Sequence, residues 1–185
     1  MNNNENATVI VKDRTIIFSG VIDSEAAGKG IYAIKSIEDE DNDNESHLKT
    51  YNREPINLII NSNGGNAYDA LALIDVIETS KTPIHTYAYG MIMSAALPLF
   101  VAGDKRFCGR RVTFMHHEAA ARIDDYSSII SAKAKEVERV GKVIDDVLIE
   151  RTKVTDKMVK QWYNEREKYF DAQEALKLGI VHEIL

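Results

Sequence analysis

Several features that would indicate other classes of protein are absent from the sequence or scarce in it. A single cysteine among 185 residues excludes an intrachain disulfide. No group of His and Cys residues has the spacing of metal ligands, so we expect no metal site. Lys and Arg number 23 against 29 Asp and Glu, and the resulting net charge of −6 argues against nucleic acid as the main partner. No apolar run approaches the length that crosses a bilayer, so we expect no membrane association.

The first residues, 1–6, are polar and Asn-rich, which predicts a disordered tail. They contain neither the basic residues nor the apolar core of a signal peptide, so the cytoplasm of a cell or of a host is the expected location. Hydrophobic residues make up 44% and charged residues 28% of the chain, as in ordinary globular proteins. This length and composition predict a single domain over 1–185 with one core.

The N-terminal part of the chain predicts two strands, a helix and a loop. β-Branched runs at 8–11 and 15–18 favour short strands, and a helix is expected over about 24–37, capped by Asp23 or Ser24. The acidic run that follows predicts a solvated surface loop over 38–54. A calcium site in that run is disfavoured because the run lacks the glycine turn and the terminal glutamate of a calcium-binding loop.

Strands and helices then alternate along the chain. Residues 56–60 are typical of a buried parallel strand, 67–79 have the apolar spacing of a helix, and a strand is predicted from Pro83. An apolar helical run follows at 95–102. This order implies right-handed crossovers and a largely parallel sheet with helices on its faces.

Ser94 stands at a predicted strand-to-helix junction. A serine in this position is most often a helix N-cap, but its hydroxyl can also serve as a nucleophile beside the amides of the helix start. The Gly64-Gly65 pair follows an upstream strand, where it can form a tight turn and also present a bare amide. A phosphate cradle is disfavoured because no Gly-Lys-Ser/Thr follows the pair. His116 ends a third strand-like run, 112–115.

Together these segments resemble the Clp protease proteolytic subunit family, in a divergent form such as the phage-type or accessory members. The resemblance extends from about Arg14 to Leu185. It rests on four segments in the family's order: Ile59-Ile60-Asn61-Ser62-Asn63-Gly64-Gly65, Gly90-x-x-x-Ser94-Ala95, Ala102-Gly103-Asp104-Lys105-Arg106-Phe107-Cys108 and Phe114-Met115-His116.

The resemblance implies an α/β, crotonase-like spiral of ββα units with a protruding handle helix, in a handle region of about 117–153. The long helix predicted over 126–151 can also be read as a core helix of the same domain. The resemblance further implies a homo-oligomer of stacked rings, heptameric in the family, with an AAA+ unfoldase as a possible partner and no cofactor. The family's amphipathic first helix is replaced here by a short β-prone segment.

The resemblance also assigns the site residues. Ser94 is the nucleophile, His116 the base, and the amides of Gly65 and Ala95 form the oxyanion hole. Of the adjacent pair His116 and His117, at most one can face Ser94, and alternation groups His116 with Phe114. The family's Gln-Pro after the histidine is His117-Glu118 here.

The acid that orients the histidine is predicted to be Glu167, which occupies the slot of the family's aspartate. Asp171, another acid or none are the alternatives, and Asp171 is the expected cap of the helix that starts at Ala172. Glutamate replaces aspartate in some unrelated triads.

The predicted function is therefore a serine endopeptidase that cleaves peptides or unfolded proteins inside an oligomeric barrel. A catalytically impaired ring subunit is one alternative, and failure of a fluorophosphonate to label Ser94 would favour it. An acyl-CoA enzyme on the same fold is another, which a CoA-binding titration decides. A relative of signal-peptide peptidases with a lysine base is the third, and peptidase activity retained in His116→Ala would favour it.

Overall fold

The structure, a computed structural model, describes residues 7–185, apart from the side chains of Ser127 and Ser128. The predicted tail over 1–6 lies outside the described residues. The strands are β1 Thr8–Lys12, β2 Thr15–Ile22, β3 Ile56–Gly65, β4 Ile84–Met93, β5 Lys105–Cys108, β6 Thr113–His117, β7 Glu167–Phe170 and β8 Glu183–Ile184. The helices are α1 Ser24–His47, α2 Ala67–Thr79, α3 Ala96–Val101, α4 Ser127–Arg151, α5 Asp156–Tyr163 and α6 Ala172–Lys177.

The strands form one mixed sheet in the order β1-β2-β3-β4-β5-β8, with β6 and β7 on a branch. The pairs β2–β3, β3–β4, β4–β5 and β5–β8 are parallel, whereas β1–β2 is an antiparallel hairpin. The predicted α/β fold with a largely parallel sheet is confirmed. Helices α1, α2 and α3 pack on the sheet and bury its apolar side chains.

Helix α2 coincides with its predicted range, and a local signal fixes its start. The side chain of Asn66 accepts hydrogen bonds from the amides of Tyr68 and Asp69, which caps the first turn. Its buried residues follow helical spacing and face the core: Ala70, Leu73, Ile74 and Ile77.

Strand β4 forks the sheet and thereby positions the candidate site. Its first half, at 85–88, pairs with β5, and its last residues, 91–93, pair in parallel with β6. In the second pairing Met93 lies opposite Met115, so the carboxyl ends of β4 and β6 lie side by side. The residues that follow these ends, and the turn between β3 and α2, meet at one edge of the sheet.

Helix α1 is longer than predicted, and the expected acidic loop over 38–54 is wrong for its first ten residues. The helix continues to His47, and the connection to β3 covers only 48–55. Asp41 and Glu38 are buried rather than solvated, because the helix presents them to cationic and hydroxyl groups. Asp23, one of the two predicted caps, accepts a hydrogen bond from the amide of Ala26.

The C-terminal strand is short and follows an apolar turn. Residues 178–181 form the turn after α6, where Ile180 and Val181 fill the core, and the strand β8 follows at Glu183–Ile184 beside β5. Asp171 caps α6, as predicted, and Thr155 caps α5 by accepting a hydrogen bond from the amide of Met158.

Helix α4 was interpreted from the sequence either as a protruding handle helix or as a core helix, and its two halves differ in burial. Its C-terminal half is a core helix, with Val140 and Leu148 buried against the rest of the domain. Its N-terminal half is exposed in the single chain, including Ile129 and Ile130.

In the described part of the chain no helix is long and apolar enough to span a bilayer.

Candidate active site

Ser94 occupies a strained turn between β4 and α3. Its φ of 53° lies in the left-handed region, which costs a non-glycine residue on the order of 1–3 kcal/mol. Two backbone hydrogen bonds hold the turn, from Ser94 N to Met115 O and from Leu97 N to Ser94 O, both 2.9 Å long. Ser94 is not the N-cap of α3, because Ala95 holds that position. The serine hydroxyl is therefore free for another role.

Two glycines lie directly against this turn. A Cβ on Gly64 would lie 2.7 Å from both Met93 O and Ser94 Cβ, and 3.0 Å from Ala95 N. A Cβ on Gly65 would lie 2.2 Å from the carbonyl oxygen of Ile22. Both residues also have positive φ, 94° and 155°. Gly64 therefore lets the end of β3 approach Ser94 more closely than any side chain would allow, and Gly65 does the same toward Ile22 of β2.

Two backbone amides near the serine are the candidates for binding an anionic oxygen, those of Gly65 and Ala95. The backbone amides on either side of Gly65 already have hydrogen-bond acceptors: Gly64 N donates to Ser62 Oγ, and Asn66 N donates to Ile22 O. Gly65 lines the same cavity as Ser94 and Ala95. Within 7–185, no hydrogen bond from the amide of Ala95 is found, so it can donate to a ligand. Gly65 and Ala95, the predicted oxyanion pair, thus line the same cavity as Ser94.

The imidazole that contacts the hydroxyl of Ser94 belongs to His117. Its Nε2 lies 2.7 Å from Ser94 Oγ, at hydrogen-bond distance. The prediction of His116 for this place is therefore wrong by one position. The two histidines extend to opposite faces of β6, and a shift of one residue along a strand exchanges the faces.

His116 lies on the buried face of β6. It is only 2% exposed, and its ring packs against those of Trp162 and Tyr163, with centroids 5.7 and 6.0 Å apart. Its Nε2 is 3.2 Å from Asp145 Oδ1 but lacks hydrogen-bond geometry to any described residue. Alternation correctly grouped His116 with Phe114, but that face is packed core and not the face of Ser94.

Glu167 lies directly opposite His117 across the antiparallel pair β6–β7. Directly opposed residues point to the same face of a sheet, with Cβ atoms about 5 Å apart. Its Oε2 accepts a 2.8 Å hydrogen bond from the hydroxyl of Tyr169, which raises the pKa of that tyrosine. Among the described residues no hydrogen bond joins Glu167 to His117. Asp171, the alternative acid, accepts a hydrogen bond from the amide of Glu174 and caps α6.

A cavity of about 380 Å³ opens beside Ser94. The β3–α2 turn, the segment after β6 and helix α4 form its walls. Tyr68 donates a 2.7 Å hydrogen bond to Glu136 at this boundary, and Arg139 donates two more. Arg139 first, and Tyr68 second, lower the pKa of Glu136 to about 2, so this carboxylate is ionised.

The residues 7–185 contain no group of three or more potential metal ligands.

A serine at a strained turn, with an imidazole hydrogen-bonded to its hydroxyl and a backbone amide beside it, is an arrangement that can serve nucleophilic catalysis, here carried by an α/β fold with a forked sheet. The chain matches the Clp protease family over residues 2–185 and belongs to that family. It is 30% identical over 179 residues to the ATP-dependent Clp protease proteolytic subunit 3 of Frankia casuarinae, covering 95% of this chain and 78% of that protein.

A solved structure, that of a ClpP1 mutant from Listeria monocytogenes, has the same fold. It superposes with a TM-score of 0.79 at 25% sequence identity, over 93% of this chain and 91% of that chain. The predicted resemblance and the ClpP-type fold are thereby confirmed.

Proposed function

We propose that this chain is a serine endopeptidase that cleaves peptides or unfolded proteins. The observation that carries the proposal is the 2.7 Å hydrogen bond between His117 and Ser94, at a turn that two backbone hydrogen bonds hold beside the cavity. Membership of the Clp protease family supports the same reaction class.

In the proposed reaction, Ser94 Oγ attacks the carbonyl carbon of the substrate while His117 Nε2 accepts the hydroxyl proton. The amides of Gly65 and Ala95 stabilise the negative charge that develops on the carbonyl oxygen. His117 then donates the proton to the leaving amine, and the acyl group stays on Ser94. Water, deprotonated by the same imidazole, hydrolyses the ester and restores the serine.

Glu167 is the proposed orienting acid for His117. The cross-strand register supports this role, because it fixes the two side chains on one face of β6–β7. A carboxylate that accepts the Nδ1–H of the imidazole would keep Nε2 free to accept the serine proton. Rotation of Glu167 away from Tyr169 is required to form that bond.

The test is hydrolysis of a fluorogenic peptide series by wild type, Ser94→Ala and Glu167→Gln, with the assembly state measured on the same samples. We expect Ser94→Ala to abolish turnover and Glu167→Gln to lower it without changing assembly. Hydrolysis that persists in Ser94→Ala contradicts the proposal.

A catalytically impaired ring subunit is the second candidate, and one observation favours it. The carboxylate of Glu167 is engaged by Tyr169 and leaves His117 without that partner. A serine-reactive fluorophosphonate separates the two candidates, because it labels Ser94 only if His117 activates the hydroxyl. Absence of labelling in an intact assembly would favour the structural subunit.

For the assembly, we propose stacked homo-oligomeric rings, heptameric as the resemblance implies. The exposed apolar residues at the start of α4, Ile129 and Ile130, support contact with another copy. An AAA+ unfoldase is the proposed partner, in line with the ATP-dependent relative from Frankia casuarinae. Sedimentation velocity of wild type and of Ile129→Asp/Ile130→Asp tests the rings, and the double variant is expected to sediment as smaller species.

A further inference from the structure

The cavity beside Ser94 has apolar side walls. Residues from two elements supply them: Ala119, Ala120 and Ala121 after β6, and Val137, Val140 and Ile144 on α4. Its volume of about 380 Å³ falls within the range of ligand-binding clefts. Because Ser94, Gly65 and Ala95 border the same space, a substrate side chain next to the cleaved bond can occupy it.

Two carboxylates line this cavity, and no lysine or arginine is found among its described lining residues. The charge of Glu136 is balanced by Arg139, which lies outside the cavity and donates two hydrogen bonds to this carboxylate. Asp145 is more deeply placed, with 13% of its side chain exposed against 43% for Glu136. Asp145 is therefore the carboxylate of this cavity that no described lysine or arginine contacts.

The partners of Asp145 do not supply a fixed positive charge. Oδ2 accepts a hydrogen bond from the hydroxyl of Tyr163, a neutral donor whose pKa is raised by burial and by Asp145 itself. Oδ1 lies 3.2 Å from Nε2 of His116, without hydrogen-bond geometry. Asp145 is thus a largely buried carboxylate with a hydroxyl donor and no described lysine or arginine partner, so a cationic ligand that reaches it gains a charge pair.

We infer that this cavity binds a cationic substrate side chain, lysine or arginine, at the residue whose carbonyl Ser94 attacks. The apolar walls accommodate the methylene stem, and Asp145 Oδ1 accepts a hydrogen bond from the charged tip. Asp145 is then a specificity-determining residue. The inference rests on the proposed peptidase function and adds the substrate class to it.

The experiment compares two peptides that differ only at this position, one with lysine and one with norleucine, which has a similar stem and no charge. In the wild type we expect kcat/KM to favour lysine by about tenfold or more, because a charge pair forms only with lysine. Asp145→Asn is expected to abolish this ratio while it still cleaves the norleucine peptide. Glu138→Gln, which removes an exposed charge on the same helix outside this cavity, is the matched control and should keep the ratio.

Peptide boronates with the same two side chains give a second measurement, since they bind Ser94 without turnover. Tighter binding of the lysine boronate to wild type supports the inference even if Asp145→Asn does not fold. Equal or better use of norleucine by wild type overturns the specificity and leaves the peptidase proposal intact. A protein that cleaves neither peptide and binds neither boronate overturns both.

Discussion

At the scale of single residues, two adjacent histidines have identical chemistry and different surroundings. His117 meets the hydroxyl of Ser94, whereas His116 lies between aromatic rings and Asp145. The difference arises from the alternation of a strand and requires no difference in the side chains. We therefore expect substitution of His117 to affect turnover much more than substitution of His116.

His117→Ala is expected to lower turnover by about 10³-fold or more, because it removes the group that accepts the serine proton. His116→Phe retains an aromatic ring in the buried site and leaves the Ser94–His117 hydrogen bond in place, so the loss should be much smaller. Steady-state hydrolysis of the norleucine peptide measures both. A larger loss for His116→Phe than for His117→Ala would reverse the assignment.

Gly64→Ala tests the close approach of two turns. The added Cβ would lie 2.7 Å from Met93 O and from Ser94 Cβ, at a φ of 94° that alanine rarely adopts. We expect a loss of about 2 kcal/mol or more in the free energy of unfolding, together with loss of fluorophosphonate labelling at Ser94. Gly28→Ala is the control, since nothing lies within 4 Å of a Cβ there. Normal labelling of Gly64→Ala would contradict this account.

At the scale of elements, a buried charge ties α1 to the strands. Asp41 is fully buried in α1 and forms two 2.8 Å hydrogen bonds with Arg14, at the turn before β2. Tyr51 and Thr82 donate to the same carboxylate, each at 2.6 Å. Burial opposes its ionisation, but the bonds from Arg14 and the two hydroxyls outweigh this and lower the pKa of Asp41 to about 2. The second half of α1 is helical because of these contacts, despite its acidic sequence.

Asp41→Asn is expected to lower the free energy of unfolding by about 3–5 kcal/mol at neutral pH, because it leaves Arg14 without its partner. Since the folded pKa of Asp41 lies below its usual value, its stabilisation is present above about pH 4. It is lost as the pH falls through about 2. Urea unfolding at pH 7 and across pH 5 to 2 measures both effects. The variant should show a shallower acid dependence than wild type, and exposed Asp39→Asn should match wild type.

At the scale of the whole molecule, one arginine joins the ends of several elements. Arg106 on β5 is buried and donates to five carbonyls, those of Val101, Gly103, Arg151, Gly179 and Ile180. These carbonyls lie at or just beyond the C-termini of α3, α4 and α6, where helices leave acceptors unsatisfied. Burial lowers the pKa of this guanidinium to about 10, so it stays charged at neutral pH.

Arg106→Met is expected to destabilise the fold by about 3 kcal/mol or more, because buried carbonyls lose their donors. Arg106→Lys should restore only part of this loss, since an ammonium has three donors and cannot reproduce the planar fork. Thermal unfolding of both variants measures the effect. The exposed neighbour Lys105→Met serves as the control. Full recovery by lysine would mean that charge alone, and not geometry, matters here.

The sequence by itself determined the elements whose signals are local. Helix α2, the caps at Asp23, Thr155 and Asp171, and the strand-to-helix turn at Ser94 follow from side chains within a few residues of each other. Order along the chain then favoured a largely parallel sheet, and the motifs around Gly65 and Ser94 indicated the family.

The tertiary structure alone decided which face of β6 meets Ser94 and how far α1 extends. A strand's alternation separates His116 from His117 but does not say which face is core, because the partners α5 and β7 are distant in sequence. The acidic end of α1 is helical only because Arg14 and Thr82, 27 and 41 residues away along the chain, meet Asp41. Such long-range contacts leave no local pattern, since the residues that decide them become neighbours only when the chain folds.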